Sequence, residues 1–200
     1  MNKMLRMSEM RKKFKVDTMI LASLLVTIFY SSTYPYIHKT IISIISDNMI
    51  ALNQIINCLS IVIVGTIWNK KKSLFKYYPT FCIVETIFNI GTTIYALVTG
   101  NIIAYYILDT LVFAMITRNI ICGGTRLRAM RYKTEDERSE YDNNDNSACA
   151  IGTIIGSLIA MVLKLNFNIM LIIATFGNCI DNIFYYFIYK TETKTTSAKK

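Results

Sequence analysis

Apolar residues gather into six long runs separated by short polar or basic segments, and within several runs polar side chains recur at helical rather than strand spacing. The runs extend over Thr18 to Ile37, Met49 to Trp68, Pro79 to Val98, Ile102 to Cys122, Ala148 to Leu163 and Phe167 to Tyr189. About 20 apolar residues of helix cross a bilayer core. The pattern therefore predicts six transmembrane helices in an all-α polytopic membrane protein, with one membrane domain over residues 17–190. Hydrophobic residues fill 53% of the chain, too many for these segments to build a soluble domain with a polar shell. The first run has a basic leader, but it is longer than a signal-peptide core and lacks a small-x-small cleavage pattern. It is expected to be retained.

The basic residues give an expected orientation. Of the 22 lysines and arginines, only Lys39 and Lys164 fall on one side and Arg118 within a run. The others lie in residues 1–16, in the loops 69–78 and 123–147, and from Lys190 onward. The positive-inside rule places both termini and these loops in the cytoplasm, and a bacterial cytoplasmic membrane is the expected location. A net charge of +9 then faces anionic lipid headgroups and implies no nucleic-acid partner. Residues 1–16 interleave Met4, Met7, Met10 and Phe14 with six basic side chains, the pattern of an amphipathic helix lying on the inner leaflet. The segment 123–147 reads as a charged loop with a short surface helix from Thr125, and Gly123 with Gly124 as a helix C-cap. The Thr- and Lys-rich tail 191–200 reads as disordered.

Charged residues inside apolar runs are functional candidates, because burying one at the centre of a spanning helix costs about 2.5 to 3.5 kcal/mol on insertion scales. Four occur: Glu85, Asp109, Arg118 and Asp181. At about 1.5 Å rise per residue, Arg118 lies roughly 6 Å from the inner end of its span, Glu85 about 10 Å, Asp181 about 12 Å and Asp109 about 20 Å. The first three are expected to form one inner cluster with Arg118 as counter-ion. Asp109 stands apart, because nine residues at helical spacing set it on the face opposite Arg118. Polar stripes accompany the charges: Thr175, Asn178, Asp181, Asn182, Tyr185 and Tyr189; Glu85, Asn89 and Thr92; Asn53, Asn57 and Ser60; Ser23, Thr27, Ser31 and Tyr34. Such stripes either line a wet path or bond neighbouring helices together. Gly152, Gly156 and Ala160 fall at i, i+4 and i+8, a helix-packing pattern.

Other chemistry is sparse. The lone His38 has no ligand set around it, the five cysteines show no CxxC spacing, and Asp142, Asn144 and Asn146 lack the turn glycine and closing acid of a calcium loop. Neither a metal nor a cofactor is expected, and no nucleophile or base set suggests an enzyme.

Between the second and third runs the chain reads Gly65-Thr66-Ile67-Trp68-Asn69-Lys70-Lys71-Lys72. This resembles the cytoplasmic signature loop of the major facilitator superfamily, G-x-x-x-D-[RK]-x-G-[RK]-[RK]. Gly65 and Lys70 match, Asn69 stands in for the aspartate, and Lys72, Ser73 and Leu74 depart from it. The resemblance implies the amino-terminal six-helix half of that fold. It also implies a half-size transporter subunit for a small solute, with proton coupling, working as a homodimer or beside a second six-helix subunit. In that reading Asp109, Glu85, Asp181, Arg118, Asn89, Asn53, Asn57, Asn178, Asn182 and Tyr34 form the substrate or proton path. The alternative is a non-transporting immunity, assembly or regulatory protein that docks a cytoplasmic partner through loop 123–147.

Overall fold

The computed structural model describes residues 17–162 and 166–197. The amphipathic segment expected before Asp17 lies outside the described residues. Six helices, each long and apolar enough to cross a bilayer, make an all-α polytopic membrane protein. They are α1 (Thr18–Ile42), α2 (Asp47–Lys70), α3 (Tyr78–Thr99), α4 (Ile102–Arg131), α5 (Glu135–Val162) and α6 (Phe167–Ser197). A 3-10 turn, Lys72–Tyr77, leads into α3.

Local chemistry sets several of the ends. The Asp17 carboxylate accepts the Met19 N–H at 2.8 Å and caps α1. Gly100, at φ 65°, ends α3 in the left-handed region, and the next side chain, Asn101, caps α4 by accepting from the Ala104 N–H at 3.0 Å. Thr134 and Glu137 form a reciprocal capping box that starts α5: the Thr134 hydroxyl accepts the Glu137 N–H, and the Glu137 carboxylate accepts those of Lys133 and Thr134.

Three expected boundaries are corrected. The segment 123–147 is not a loop, because α4 continues through Gly123 and Gly124 to Arg131 and α5 begins at Glu135, leaving only Tyr132–Thr134 between them. Gly123 sits mid-helix because the Tyr78 ring lies against it, and a Cβ there would come within 2.0 Å of that ring. The tail is not disordered from residue 191, since α6 runs on to Ser197.

The spatial order departs from chain order. α1 packs most closely on α5 and α6; α6 also packs on α3, α3 on α4, and α4 on α2. Gly152 and Gly156 let α5 meet α1 backbone to backbone, as an added Cβ would stand 2.9 Å from the Leu24 carbonyl oxygen and 2.6 Å from that of Ile28. The Tyr36 hydroxyl donates to the Ala160 carbonyl at 2.8 Å along the same seam. Large apolar side chains such as Ile55, Val62, Ile87, Met115, Ile154 and Phe187 point outward, while Thr33, Glu85, Asn89, Thr93 and Asn182 are buried. Hydrocarbon is the solvent that suits such a surface.

Candidate functional site

A cavity of about 480 Å³ lies inside the bundle, lined by α1, α2, α3, α4 and α6. α5 contributes nothing to it. One wall is an aromatic column on α1. The rings of Tyr30 and Tyr34 stack at 4.5 Å and those of Tyr34 and His38 at 5.1 Å, a consequence of their i, i+4, i+8 spacing on one helical face. The α2 wall is a relay of amides: Asn57 Nδ2 donates to Asn53 Oδ1 at 2.6 Å, and Asn53 Nδ2 to the Tyr106 hydroxyl on α4 at 2.6 Å. Asn57 Oδ1 is left buried without a partner.

Two carboxylates face this space. Asp109 is exposed to it, whereas Glu85 is 7% exposed and accepts a hydrogen bond from the Thr117 hydroxyl. Asp181 does not line the cavity, though Glu85 is within electrostatic reach of it as of Asp109. None of them pairs with a lysine or arginine among the described residues.

The backbone of α4 explains how Thr117 reaches Glu85. Residues Phe113–Thr117 form a π-turn. Its i→i+5 bonding takes in one extra residue and sets back every later side chain by about 100° relative to an unbroken α-helix. Asp109 and Thr117 are eight positions apart, which would leave them about 80° apart on a regular helix. The inserted residue brings them to within about 20° of each other, and both line the cavity.

The sequence-predicted residues divide accordingly. Asp109, Glu85, Asn89, Asn53, Asn57, Asn178 and Tyr34 meet at the cavity. Asn182 is buried close to Glu85, and Asp181 lies below it among Tyr78, Cys82 and Tyr185. Arg118 does not serve as counter-ion. Its guanidinium stands over the Phe113 ring at 5.0 Å, and its Nε is buried without a partner. The π-turn presents Thr117 to Glu85 where an arginine was expected. On α1 the stripe splits, because Thr27 and Ser31 face the glycines of α5 and only Tyr34 reaches the cavity. Gly65, Asn69 and Lys70 belong to the last turns of α2 rather than to a loop. The chain that follows docks on α4, with Arg126 donating to the Lys72 carbonyl at 3.2 Å and Trp68 Nε1 to Asn119 at 2.7 Å.

Sequence reasoning missed Tyr30, His38, Tyr106 and Thr117. The first two carried a usable signal, since with Tyr34 they repeat at every fourth position; Thr117 did not, because a π-turn leaves no mark on periodicity.

One end of the bundle is sealed. Trp68, Tyr78, Cys82, Ile120, Leu127, Tyr141 and Ile188 pack into a buried plug, with Phe75, Tyr185 and Tyr189 against it. Beyond the plug, Arg131 bridges Asp17 at 3.2 Å and Glu192 at 3.6 Å, and the Tyr132 hydroxyl donates to Asp17 at 2.5 Å. Burial first, and the Asp17 carboxylate second, push the Tyr132 phenol above the ordinary tyrosine range. Toward the opposite end the cavity reaches Ile41, Ile42 and Ile50, beside the α1–α2 connection.

Against this geometry, no family model, no curated protein and no solved structure matches the chain. Similarity to the major facilitator signature therefore rests on Gly65 and Lys70 alone.

Proposed function

We propose that the protein is a membrane transport subunit that binds a small solute in the cavity between α1, α2, α3, α4 and α6. The observation that carries this reading is the cavity itself, about 480 Å³ between five apolar helices, with Asp109 and Glu85 facing it and no basic counter-charge among the described residues. A concave site of that size suits a small molecule. Unpaired carboxylates in a spanning bundle mark solute or proton pathways. With the basic end in the cytoplasm, the plug around Tyr78 and the Arg131 bridge form the inner seal, and the cavity is reached from outside.

A second six-helix unit, a copy of this chain or a separate subunit, would complete the path. Supporting this, Gln54 is exposed on α2 at the flank of the cavity, where a polar side chain would otherwise meet lipid. The loss of the signature aspartate at Asn69 fits a pairing different from that of a full-length facilitator.

The test is a flux panel in proteoliposomes with labelled cationic, neutral and anionic solutes, comparing the native chain with Asp109→Asn. Uptake of one class, abolished in the variant without loss of membrane expression, is the expected result. Unchanged uptake by the variant removes Asp109 from the mechanism, and absence of flux for every class removes the transport reading.

A docking protein is the second reading, favoured by one observation: Glu135, Asp136 and Glu140 are exposed on the first turns of α5. If that is the function, reversing these charges abolishes co-purification of a soluble partner and leaves solute binding irrelevant.

A further inference from the structure

We propose that the cavity takes a small organic cation, its ammonium group held between the Tyr30 ring of α1 and the Asp109 carboxylate of α4. This inference rests on the solute-binding reading above and names the class of solute.

Charge is the first argument. The ionisable groups lining the cavity, apart from the tyrosines, are Asp109, Glu85 and His38, and no lysine or arginine among the described residues joins them. Arg118, the one arginine placed within an apolar run, is turned to Phe113 instead. An anion would enter against two acids with no cation to offset them. A neutral solute would leave the field of those acids unanswered in surroundings where charges are poorly screened.

The aromatic column supplies the second argument. Tyr30 and Tyr34 are 54% and 42% exposed; Tyr34 is sandwiched between Tyr30 and His38, so the ring face left open to an incoming group is the outer one of Tyr30. Asp109 lines the same cavity as Tyr30 and Tyr34, so a carboxylate and the aromatic column share one space. Ring faces attract a cation through their quadrupole, and the attraction grows when water is excluded.

The third argument is the wall facing the column. The amides of Asn53 and Asn57 bond one another and the Tyr106 hydroxyl, so this wall is held by its own hydrogen bonds and brings no charge to offset the Asp109 carboxylate. What the described lining lacks is positive charge, and an ammonium or amino-alcohol supplies it.

The experiment measures binding to the full chain reconstituted in lipid nanodiscs. The probes are three molecules of nearly one shape, namely choline, its neutral isostere 3,3-dimethylbutan-1-ol and the anion 3,3-dimethylbutanoate, with tetraphenylphosphonium as a larger cation. The expected result is a preference of about tenfold or more for a cation over the neutral and anionic probes. Asp109→Asn should erase that preference, and Tyr30→Leu should weaken cation binding several-fold while Tyr30→Phe, which keeps the ring, does not. Monodispersity of each variant on size exclusion separates lost binding from lost folding. Equal binding of the neutral isostere, or a preference that survives Asp109→Asn, overturns the cation inference while leaving a solute-binding cavity in place. Failure of every probe overturns it as well, and only a flux panel that is also empty takes the transport reading down with it.

Discussion

Arg131 reaches the Asp17 carboxylate at 3.2 Å, joining the corner between α4 and α5 to the first residue before α1. The two side chains are 25% and 20% exposed, so solvent screens the pair less than an ordinary surface bridge. A double-mutant cycle with Asp17→Ala and Arg131→Ala is expected to give a coupling of about 1 kcal/mol, with each single change lowering Tm by about 2–4 °C. Additive effects of the two changes would show that the bridge contributes nothing. Glu192→Ala, which removes the longer contact at 3.6 Å, should cost less than Asp17→Ala.

Gly156 and Gly65 make a contrasting pair. A Cβ at Gly156 would stand 2.6 Å from the Ile28 carbonyl oxygen and 2.8 Å from the Ser31 Cβ, whereas nothing lies within 4 Å of the same atom at Gly65. Gly156→Leu should force α5 away from α1 at a cost of about 1–3 kcal/mol or more. Gly65→Ala should be neutral, or stabilising by up to about 1 kcal/mol from helix propensity. Thermal unfolding in a fixed detergent reads both, and equal losses would contradict the α1–α5 seam described above.

The π-turn predicts an asymmetry between two deletions. Removing Met115, an exposed residue within Phe113–Thr117, takes out the extra residue and leaves a regular helix whose two flanking faces keep their places. Removing Ile107 from the regular part of α4 rotates the preceding turn by about 100° and misplaces Tyr105 and Tyr106. The first deletion should yield monodisperse protein and the second should not. The opposite ranking would mean that the wide turn is required for the fold.

The start of α5 should respond to acid. Backbone N–H groups of Thr134 and Lys133 bond the Glu137 carboxylate and hold it below the usual glutamate range. A lowered value in the folded state means that the contribution of this cap is full above the ordinary glutamate pKa. It is then lost as pH falls through the depressed one. Amide hydrogen exchange at Lys133 and Thr134, corrected for intrinsic rates, should accelerate over that interval in the native chain. In Glu137→Ala the protection should already be absent at neutral pH.

Much of the architecture was legible because the bilayer imposes one length and one polarity on every span. The six runs were read from composition, and Asn53, Asn57, Glu85, Asn89, Asp109 and Asn178 were singled out because burying them in apolar runs needs a reason. Two kinds of fact were hidden. Gly123-Gly124 followed by arginines and acids reads as a chain break, and only the Tyr78 ring laid against Gly123 explains why the helix runs on. The Arg118 partnership was inferred from depth along straight α-helices, and the inserted residue of the π-turn changes which side chain meets Glu85. Depth along a span can be counted from sequence, but azimuth past an irregular turn cannot.

The order in which the helices touch bears on how the protein is made. α1 leaves the ribosome first, yet the helices it packs on most closely, α5 and α6, are synthesised last; α2 likewise docks on α4, which follows α3. Each early helix therefore resides in the bilayer without its main neighbour until a later one is threaded in, and α3 with α4 is the closely packed pair whose members are adjacent in the chain. During biogenesis the groove on α1 that receives Gly152 and Gly156 therefore stays uncovered until α5 is made.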